Sequence, residues 1–363
     1  MANTTKKSGG ILGGIIFLVV GVAILWSNEG RTVKTQAAIG EATRSFIQVK
    51  SDKVDSKNEG KLIATKGKLN IDASNELIDG AFGVNVKAVK LKRNVEMYQW
   101  DEKCTTNDDD KTTCSYEKVW DDDLIDSSEY KESGHDNPTS KLYESEEYLA
   151  DNVKLGAFTL PTELINSLKY DKTKTNDELT LEYNTSKEGI KVDGKYLTNV
   201  KDEGPQIGDI RISYQYTTVK DASVLAVQTD DTFEAFTSKK GKDIYTIVEG
   251  NKTGVQILEN MTHANKTIKW GLRILGIVFV IGGFSSMFGF ITTLADKVPV
   301  LGKIVSGATS IVSTLLGLGL SLIVIAIAWF RFRPILSIIL LAASVVLIIL
   351  LRIYQPKSKK EEK

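Results

Sequence analysis

The stretch Gly9–Arg31, GGILGGIIFLVVGVAILWSNEGR, decides the fold class of this chain. Residues 10–26 are apolar and uncharged, which is close to the shortest helix that can cross a bilayer. Lys6 and Lys7 precede this run, as in a secretory signal peptide. However, the run ends in Trp26-Ser27-Asn28-Glu29, which lacks the small-x-small pattern of a cleavage site. The sequence therefore predicts an uncleaved membrane anchor.

Three more apolar runs follow in the last third of the chain: Trp270–Leu294, Ile304–Phe330 and Ile335–Leu351. Between the anchor and these runs, polar and apolar residues alternate as in antiparallel strands, most clearly over Asn85–Trp100 and also over Ser223–Phe236. Residues 143–152 fit a helical or a mixed structure, and Lys252–Lys269 is predicted as an amphipathic helix that leads without a break into the second span. The sequence predicts a membrane α-helical protein with four spans, one N-terminal and three C-terminal. An α+β extracytoplasmic domain built on an antiparallel sheet is inserted between them.

The predicted segments follow in chain order. They are a cytoplasmic tail (1–9), the first span (10–27), the α+β domain (28–267), the second span (268–295), a cytoplasmic loop (296–303), the third span (304–330), a short outer loop (331–334), the fourth span (335–353) and a cytoplasmic tail (354–363). A full crossing and a partly re-entrant path both fit the second and third spans.

The distribution of lysine and arginine predicts the orientation. With four spans both termini share one side, and that side carries Lys6, Lys7, Lys297, Lys303, Arg352, Lys357, Lys359, Lys360 and Lys363. The membrane-flanking segments of the other side carry Arg31, Arg331 and Arg333. Because positive charge favours the cytoplasmic side, both termini are expected there and the domain outside or in a lumen. Trp26, Trp270 and Trp329 would then share the non-cytoplasmic interface.

Charge also limits the partners. The chain has 46 basic and 46 acidic residues, but residues 32–267 hold 32 basic against 42 acidic residues. An acidic domain argues against binding to nucleic acid, which needs a basic surface. The partners expected are membrane lipids, a second copy of the chain and other membrane proteins.

Two cysteines, Cys104 and Cys114, flank an aspartate-rich turn in CTTNDDDKTTC. Zinc would need further cysteine or histidine ligands, which are missing nearby. A disulfide that closes a hairpin between Asn85–Trp100 and Tyr116–Trp120 is the favoured interpretation, and two free thiols are the alternative.

No catalytic motif is visible. The only histidines, His135 and His263, are far apart in sequence, and no nucleophile elbow, phosphate loop or HExxH is present. Asp108–Asp110 and Asp121–Asp123 are contiguous and so lack the alternate spacing of a calcium loop, which favours solvated turns. We expect a protein that is not an enzyme and that has no cofactor and no metal.

Small residues in the spans allow two interpretations. The pairs Gly9/Gly13 and Gly10/Gly14, with Gly282, Gly283, Gly317 and Gly319, allow close helix packing, either within one bundle or between subunits. An ion channel or channel regulator is the alternative function, with a pore lined by glycine and by Ser285, Ser286, Thr292, Thr293, Ser313, Thr314 and Ser321.

The first span ends in charged residues that raise a specific hypothesis. Glu29 and Arg31 pair with each other, or with Trp270 or Arg273 at the start of the second span, and so lock the first helix to the later ones. Alternatively they are only a hydrophilic stop after the first span. Arg273, about one turn inside the second span, is expected to extend its side chain to water and so does not indicate an ion-coupled transporter.

Several stretches together resemble the transmembrane protein 43 (LUMA) family. The resemblance runs nearly end to end, in order, with the same one-plus-three layout. Its longest segment is Val84–Glu102, VNVKAVKLKRNVEMYQWDE. The motif residues that it marks as structural are Asn28, Glu29, Gly30, Arg31, Arg93, Glu96, Tyr98, Trp100, His135, Asn137, Pro138, Gly208, Asp209, Arg211, Trp270, Gly271, Arg273, Arg333 and Pro334.

The resemblance implies a polytopic protein that, in animals, lies in the endoplasmic reticulum and inner nuclear membrane and acts as a self-associating scaffold. It brings no catalytic residue. The cysteine turn and the high lysine content favour a prokaryotic member, which would lie in the cytoplasmic membrane. The function expected is a non-enzymatic scaffold in membrane organisation or in the assembly of membrane-protein complexes.

Overall fold

The structure is a computed structural model that describes residues 8–70, 76–106, 111–173, 189–295 and 301–339, with residues 342 and 346. The chain divides into two compact units. The helical unit comprises Met1–Arg44, Thr237–Asp243 and Leu258–Lys363, and the sheet unit comprises Ser45–Phe236 and Ile244–Ile257.

The described residues form four α-helices: α1 (Ser8–Ser45), α2 (Thr162–Ser167), α3 (Gly254–Ala295) and α4 (Leu301–Phe332). Three stretches are long and apolar enough to cross a membrane, namely Ile11–Ser45, Gly254–Gly289 and Ser310–Phe332. They correspond to the first three predicted spans. Most of the fourth predicted span (335–353) lies outside the described residues, although residues 334–339 are helical.

The helices extend beyond the predicted spans. The sequence predicts a first span ending at residue 27, but α1 continues to Ser45 because no proline interrupts it and Ala37, Ala38 and Ala42 favour helix. The predicted helix Lys252–Lys269 does continue without a break into the second span, within α3. The link predicted at 331–334 consists of Arg333 alone, since α4 ends at Phe332 and helical backbone resumes at Pro334. Proline is well suited to the first position of a helix.

Glycines bring α1 and α3 into close contact inside the helical unit. A Cβ added at Gly14 would lie 2.7 Å from the carbonyl oxygen of Gly283, and one at Gly21 would lie 2.9 Å from that of Gly276. On α4, a Cβ at Gly317 would lie 2.8 Å from Cα of Ile281. These glycines serve packing within one chain, as small residues do between helices in lipid.

The serine-rich face of α4 belongs to the same packing. Ser313, Gly317 and Ser321 follow each other at four-residue spacing, and both serines are buried. The hydroxyl of Ser321 donates to the carbonyl of Gly317, and that of Thr314 donates to the carbonyl of Ser310. These side chains therefore pack and bond within the bundle of a single chain.

The strands described in the chain, given in order, are β1 (Ile47–Gln48), β2 (Leu62–Asn70), β3 (Glu76–Asp79), β4 (Val84–Lys87), β5 (Lys90–Thr106), β6 (Thr112–Asp121), β7 (Glu146–Leu149), β8 (Lys154–Leu155), β9 (Phe158–Thr159), β10 (Lys172–Thr173), β11 (Lys191–Asp193), β12 (Tyr196–Thr198), β13 (Ile210–Thr217), β14 (Asp221–Thr229), β15 (Thr232–Glu234), β16 (Phe236–Thr237), β17 (Asp243–Ile244) and β18 (Thr246–Glu249).

In the described part of the chain these strands form two sheets of seven strands and two isolated pairs, β3–β4 and β16–β17. The first sheet has the order β15-β14-β2-β8-β9, with β1 beside β2 and β18 beside β14. The second has the order β11-β12-β13-β5-β6, with β10 beside β13 and β7 beside β5. The segment 143–152, for which the sequence leaves a helical and a mixed structure open, contains strand β7.

Strand β5 shows why the sheet forms. Leu91, Val95 and Met97 alternate with half-buried polar residues, so one face of the strand enters the core while the other stays near solvent. The hairpin predicted across the cysteine turn is confirmed, since β5 pairs with β6 in antiparallel register from Met97↔Asp121 to Thr106↔Thr112. The stretch predicted as one strand over 85–100 divides into β4 and β5.

A second predicted strand, Ser223–Phe236, is a hairpin. Strand β14 ends at Thr229, which pairs with Thr232 at the start of β15. Asp230 turns the chain with φ of 50°, a conformation that aspartate tolerates better than most residues. The alternating pattern continues through this two-residue turn, which is why periodicity alone merges the two strands.

The core of the sheet unit is one hydrophobic cluster shared by both sheets. The first sheet contributes Ile63 and Val224, and the second contributes Leu91, Val95 and Ile212. This packing fixes β5 and β13, the two strands that carry the motif residues Arg93, Glu96, Tyr98, Trp100 and Arg211.

Candidate functional site

The centre of the helical unit is a buried ion pair between α1 and α3. Nε and Nη2 of Arg273 both lie 2.6 Å from Oε1 of Glu29, whose side chain is fully buried. The other carboxylate oxygen of Glu29 accepts a hydrogen bond from Nε1 of Trp329 on α4 at 3.0 Å. A buried carboxylate is stable only when its oxygens are satisfied, and here α3 supplies the positive charge and α4 a further hydrogen bond.

A layer of amides surrounds this pair. Asn28 donates to the carbonyl of Lys269 at 2.9 Å, and Asn265 donates to the carbonyl of Thr32 at 3.3 Å. Arg31 donates to the side-chain oxygens of Asn265 and Asn28 at 3.0 and 3.2 Å. Together these bonds tie α1 to α3 by side-chain-to-backbone contacts at two levels.

The spacing of residues on α1 explains why this face is polar at one end. Leu25, Asn28, Glu29 and Thr32 are all buried and recur at the three- and four-residue intervals of one helix face. The apolar stripe of the membrane helix therefore continues directly into the polar cluster. We call Asn28, Glu29, Arg31, Asn265, Arg273 and Trp329 the boundary cluster.

Aromatic rings enclose the boundary cluster. The guanidinium of Arg273 lies 5.0 Å from the ring of Trp270 and 5.9 Å from that of Trp329. The guanidinium of Arg333 lies 5.7 Å from the ring of the same tryptophan, Trp329. A Cβ at Gly30 would lie 2.9 Å from the ring of Phe332, so this position of the Asn-Glu-Gly-Arg motif favours glycine by contact.

The hypothesis that Glu29 pairs with Arg273 is therefore confirmed, and the expectation that Arg273 extends to water is wrong, because its side chain is buried beside Glu29. Arg31 bonds to amides rather than to Trp270 or Arg273. Among the motif glycines, Gly271 has open space around it in the described part of the chain, since a Cβ there would meet nothing within 4 Å.

A second polar centre lies inside the sheet unit. Nη1 of Arg93 lies 2.8 and 2.7 Å from the two carboxylate oxygens of Asp79, and the hydroxyl of Tyr214 donates to Asp79 at 2.6 Å. Burial, and then the hydrogen bond to Asp79, raises the pKa of the Tyr214 phenol above its usual range. The motif residue Arg93 thus neutralises a buried acid in the core.

Other motif residues form an outward face on β5, β6, β12 and β13. Arg211 makes two hydrogen bonds of 2.7 Å to the carboxylate of Glu96. Its guanidinium lies 4.7 Å from the ring of Trp120 and 4.8 Å from that of Tyr196, and Tyr98 packs against Trp120 at 5.1 Å. All these side chains are half-buried. We call Glu96, Tyr98, Trp120, Tyr196 and Arg211 the aromatic–arginine face.

The Gly-His-Asp-Asn-Pro motif holds the β5–β6 hairpin. The side chain of Asn137 accepts a hydrogen bond from the backbone N–H of Trp100 at 2.7 Å and donates to the carbonyl of Trp100 at 2.9 Å. His135 stacks on Tyr116 at 3.8 Å and meets Trp100 edge-on at 4.6 Å. His135 is therefore placed by aromatic packing.

The Gly-Asp-Ile-Arg motif lies beside the same strand. The carbonyl of Asp209 accepts from the N–H of Tyr98 at 2.8 Å, and the N–H of Gly208 donates to the carbonyl of Tyr98 at 2.9 Å. Gly208 has φ of 93°, and a Cβ there would lie 3.2 Å from Pro138, so both conformation and contact favour glycine.

Cys104 and Cys114 form the predicted disulfide, which joins β5 to β6. The carboxylates of Asp121–Asp123 approach within 4.8 Å of one another, and the N–H of Asp123 donates to the side chain of Asp121, as in a local turn. Asp108–Asp110 lie outside the described residues. His263 is exposed on α3.

Sequence reasoning did not find Asp79, Asn265 or the role of Trp329. Asp79 ends a short strand with no motif around it, and only its contact with Arg93 reveals its burial. Asn265 and Trp329 become partners of Glu29 and Arg31 only when three helices are brought together.

Apolar helices of membrane-spanning length, joined to a sheet-rich unit, define an integral membrane protein. The sequence profile of the family described as Transmembrane protein 43 matches residues 97–334, and the chain belongs to this family. It is 27% identical to Transmembrane protein 43 of Homo sapiens over 380 aligned residues, which cover 99% of this chain and 94% of the human protein.

Two further relatives support the same assignment. Transmembrane protein 43 of Pongo abelii is 28% identical over 99% of this chain and 94% of that protein. The homologue of Drosophila melanogaster is 25% identical over 91% of this chain and 90% of its own length. No solved structure matches the chain. The resemblance stated above is thereby confirmed for the family.

Proposed function

We propose that this protein is a non-enzymatic membrane scaffold that self-associates through its spans and presents the sheet unit to other membrane proteins. The observation that carries the proposal is the division of the span glycines into two groups. Gly14, Gly21, Gly276 and Gly283 are used within the chain, whereas a Cβ at Gly13 or Gly282 would meet nothing within 4 Å. Open glycines on a membrane helix suit close contact with a second copy.

Adjacent glycines on α3 provide a matched experiment. The full-length protein is reconstituted in nanodiscs, and the particle mass is measured by light scattering corrected for lipid. We expect a discrete oligomer from the unmodified chain and a smaller particle from Gly282→Leu, since its side chain points into open space. Gly283→Leu is the control for intrachain packing, because its Cβ would lie 2.7 Å from Leu18, and it should lower the unfolding temperature.

Two results would contradict self-association through this face. One is a strict monomer of the unmodified chain in nanodiscs and in several mild detergents. The other is an oligomer of Gly282→Leu that is indistinguishable from that of the unmodified chain.

The aromatic–arginine face is the surface that we propose for other proteins. Tyrosine, tryptophan and arginine dominate the energetic centres of protein interfaces, and this face carries all three in a half-buried array. A photo-cross-linking residue in place of Tyr98 should yield discrete adducts with membrane proteins in cells. The same residue in place of the exposed Leu142 is the control, and equal adducts from both positions would contradict a specific surface.

The topology proposed is four spans with both termini in the cytoplasm and residues 28–267 outside or in a lumen. The lysine and arginine distribution supports it. A His263→Cys variant in sealed, right-side-out vesicles should react with an impermeant maleimide. Labelling only after the vesicles are opened would place residue 263 inside them and would contradict the proposed orientation.

A further inference from the structure

A groove in the helical unit lies beside the boundary cluster. It has a volume of about 690 Å³, and its walls are α1, the turn around Lys240 and the residues that follow α4. Val33, Ile335, Leu336 and Ile339 supply apolar surface, and Lys240 and Arg333 supply two cations. The groove is therefore apolar along one part and positively charged along another.

The apolar part is open to the surroundings of the protein, like other apolar side chains of the spans. The side chains of Ile335 and Ile339 are 74% and 58% exposed, and that of Leu336 is 41% exposed. Large apolar residues on a soluble surface would be unfavourable, but hydrocarbon chains of lipid cover such residues without cost. This part of the groove suits an acyl chain.

The charged part has a surplus of cations. Within the described residues neither Lys240 nor Arg333 forms an ion pair. The carboxylate of Glu41 accepts a hydrogen bond from the backbone N–H of Lys239, which fixes the turn that carries Lys240.

Arg333 is also held in place. Its guanidinium lies 5.7 Å from the ring of Trp329, and a tryptophan at the end of a span favours the depth of lipid head groups. A guanidinium at this depth can donate two parallel hydrogen bonds to a phosphate. The cations and the apolar residues therefore meet at the level where a phospholipid changes from head group to hydrocarbon.

We propose that this groove binds a phospholipid with an anionic head group. The phosphate of the lipid faces Arg333 and Lys240, and an acyl chain covers Ile335, Leu336 and Ile339. A zwitterionic lipid fits less well, because its ammonium group would approach the same two cations. Lipid binding in this groove is independent of self-association through the span glycines.

Native mass spectrometry of the full-length protein tests the assignment. The protein in mild detergent is offered equal amounts of phosphatidylglycerol and phosphatidylcholine with identical acyl chains, and the bound fraction of each is counted. We expect preferential retention of phosphatidylglycerol. Removing one basic contact should reduce that preference roughly five-fold, in line with the contribution of a lysine or arginine near an anionic membrane surface.

The test variants are Lys240→Gln and Arg333→Gln, each of which removes one positive charge from the groove. Lys239→Gln is the matched control, because Lys239 is next to Lys240 in sequence but does not line the groove. Leu336→Gln should lower the retention of both lipids. Equal retention of the two lipids by the unmodified chain would overturn the proposal. So would an equal loss with Lys239→Gln and Lys240→Gln, since diffuse charge would then explain the binding.

Discussion

Glu29→Gln should strongly destabilise the helical unit. The variant keeps the size of the side chain but leaves the guanidinium of Arg273, which is 8% exposed, without a counter-ion. Breaking a buried ion pair by removing one partner costs about 3–5 kcal/mol. The cost is large because the remaining charge stays away from water while its attraction to the partner is lost.

Further variants separate the contribution of the hydrogen bond to Trp329 from that of the ion pair with Arg273. Trp329→Phe keeps an aromatic ring but removes the 3.0 Å hydrogen bond to Oε2, and this loss should cost about 1.5–3 kcal/mol, the range for a bond to a charged group. Combining Glu29→Gln with Arg273→Met removes both charges. Because an apolar replacement of a buried pair is often neutral, the double variant should recover most of the stability lost in Glu29→Gln.

The assay is reversible unfolding of the full-length protein in mixed detergent, followed by tryptophan fluorescence. It is repeated for Glu29→Gln, for Arg273→Met and for the double variant. The coupling free energy of the cycle is the quantity of interest. Two outcomes would refute the reasoning: Glu29→Gln with unchanged stability, or a double variant whose loss equals the sum of the single losses.

Two further predictions concern the sheet unit. Asn137→Ala removes the hydrogen bonds of 2.7 and 2.9 Å to the backbone of Trp100 and should lower the free energy of unfolding by about 1–3 kcal/mol, measured by denaturant titration. Asp136→Ala, a change of the exposed neighbour, is the control. Equal effects of the two substitutions would argue against a stabilising role of the Asn137 hydrogen bonds. Burial, and then the acidic neighbours Glu163 and Glu234, raises the pKa of Tyr245 to about 12 from 10.0. Above pH 10 the unfolded chain therefore binds fewer protons than the folded one, so the contribution of Tyr245 to stability is complete below pH 10 and is lost as the pH rises through 12. Unfolding titrations over this interval should show falling stability and a shallower slope for Tyr245→Phe, and a rise in stability would contradict the assignment.

Much of the layout could be predicted from local pattern. The apolar runs, the continuous helix through Lys269 and the β5–β6 hairpin all depend on residues close in sequence, and the structure has each of them. Boundaries were less predictable. The turn at Asp230 keeps the two-residue alternation on both sides, so the pattern does not show where β14 ends.

The boundary cluster was predictable only in part. A glutamate just after one apolar run and an arginine just inside another suggested the Glu29–Arg273 pair, because charges at such places need partners. The sequence did not show that Trp329, 300 residues after Glu29, completes the carboxylate's bonds. It also did not separate glycines that face a neighbouring helix from glycines that face outward.

By itself the sequence determined that this is a membrane protein of the Transmembrane protein 43 family with an inserted sheet domain, because apolar run length, strand periodicity and motif order are local properties. Only the tertiary structure decided which polar residues are partners. Asp79 meets Arg93 and Tyr214, and Glu29 meets Arg273 and Trp329, across 14 to 300 residues of chain. The physical reason is that burial makes an unpaired charge costly, while the partner that removes this cost is set by packing between elements and not by neighbours in sequence.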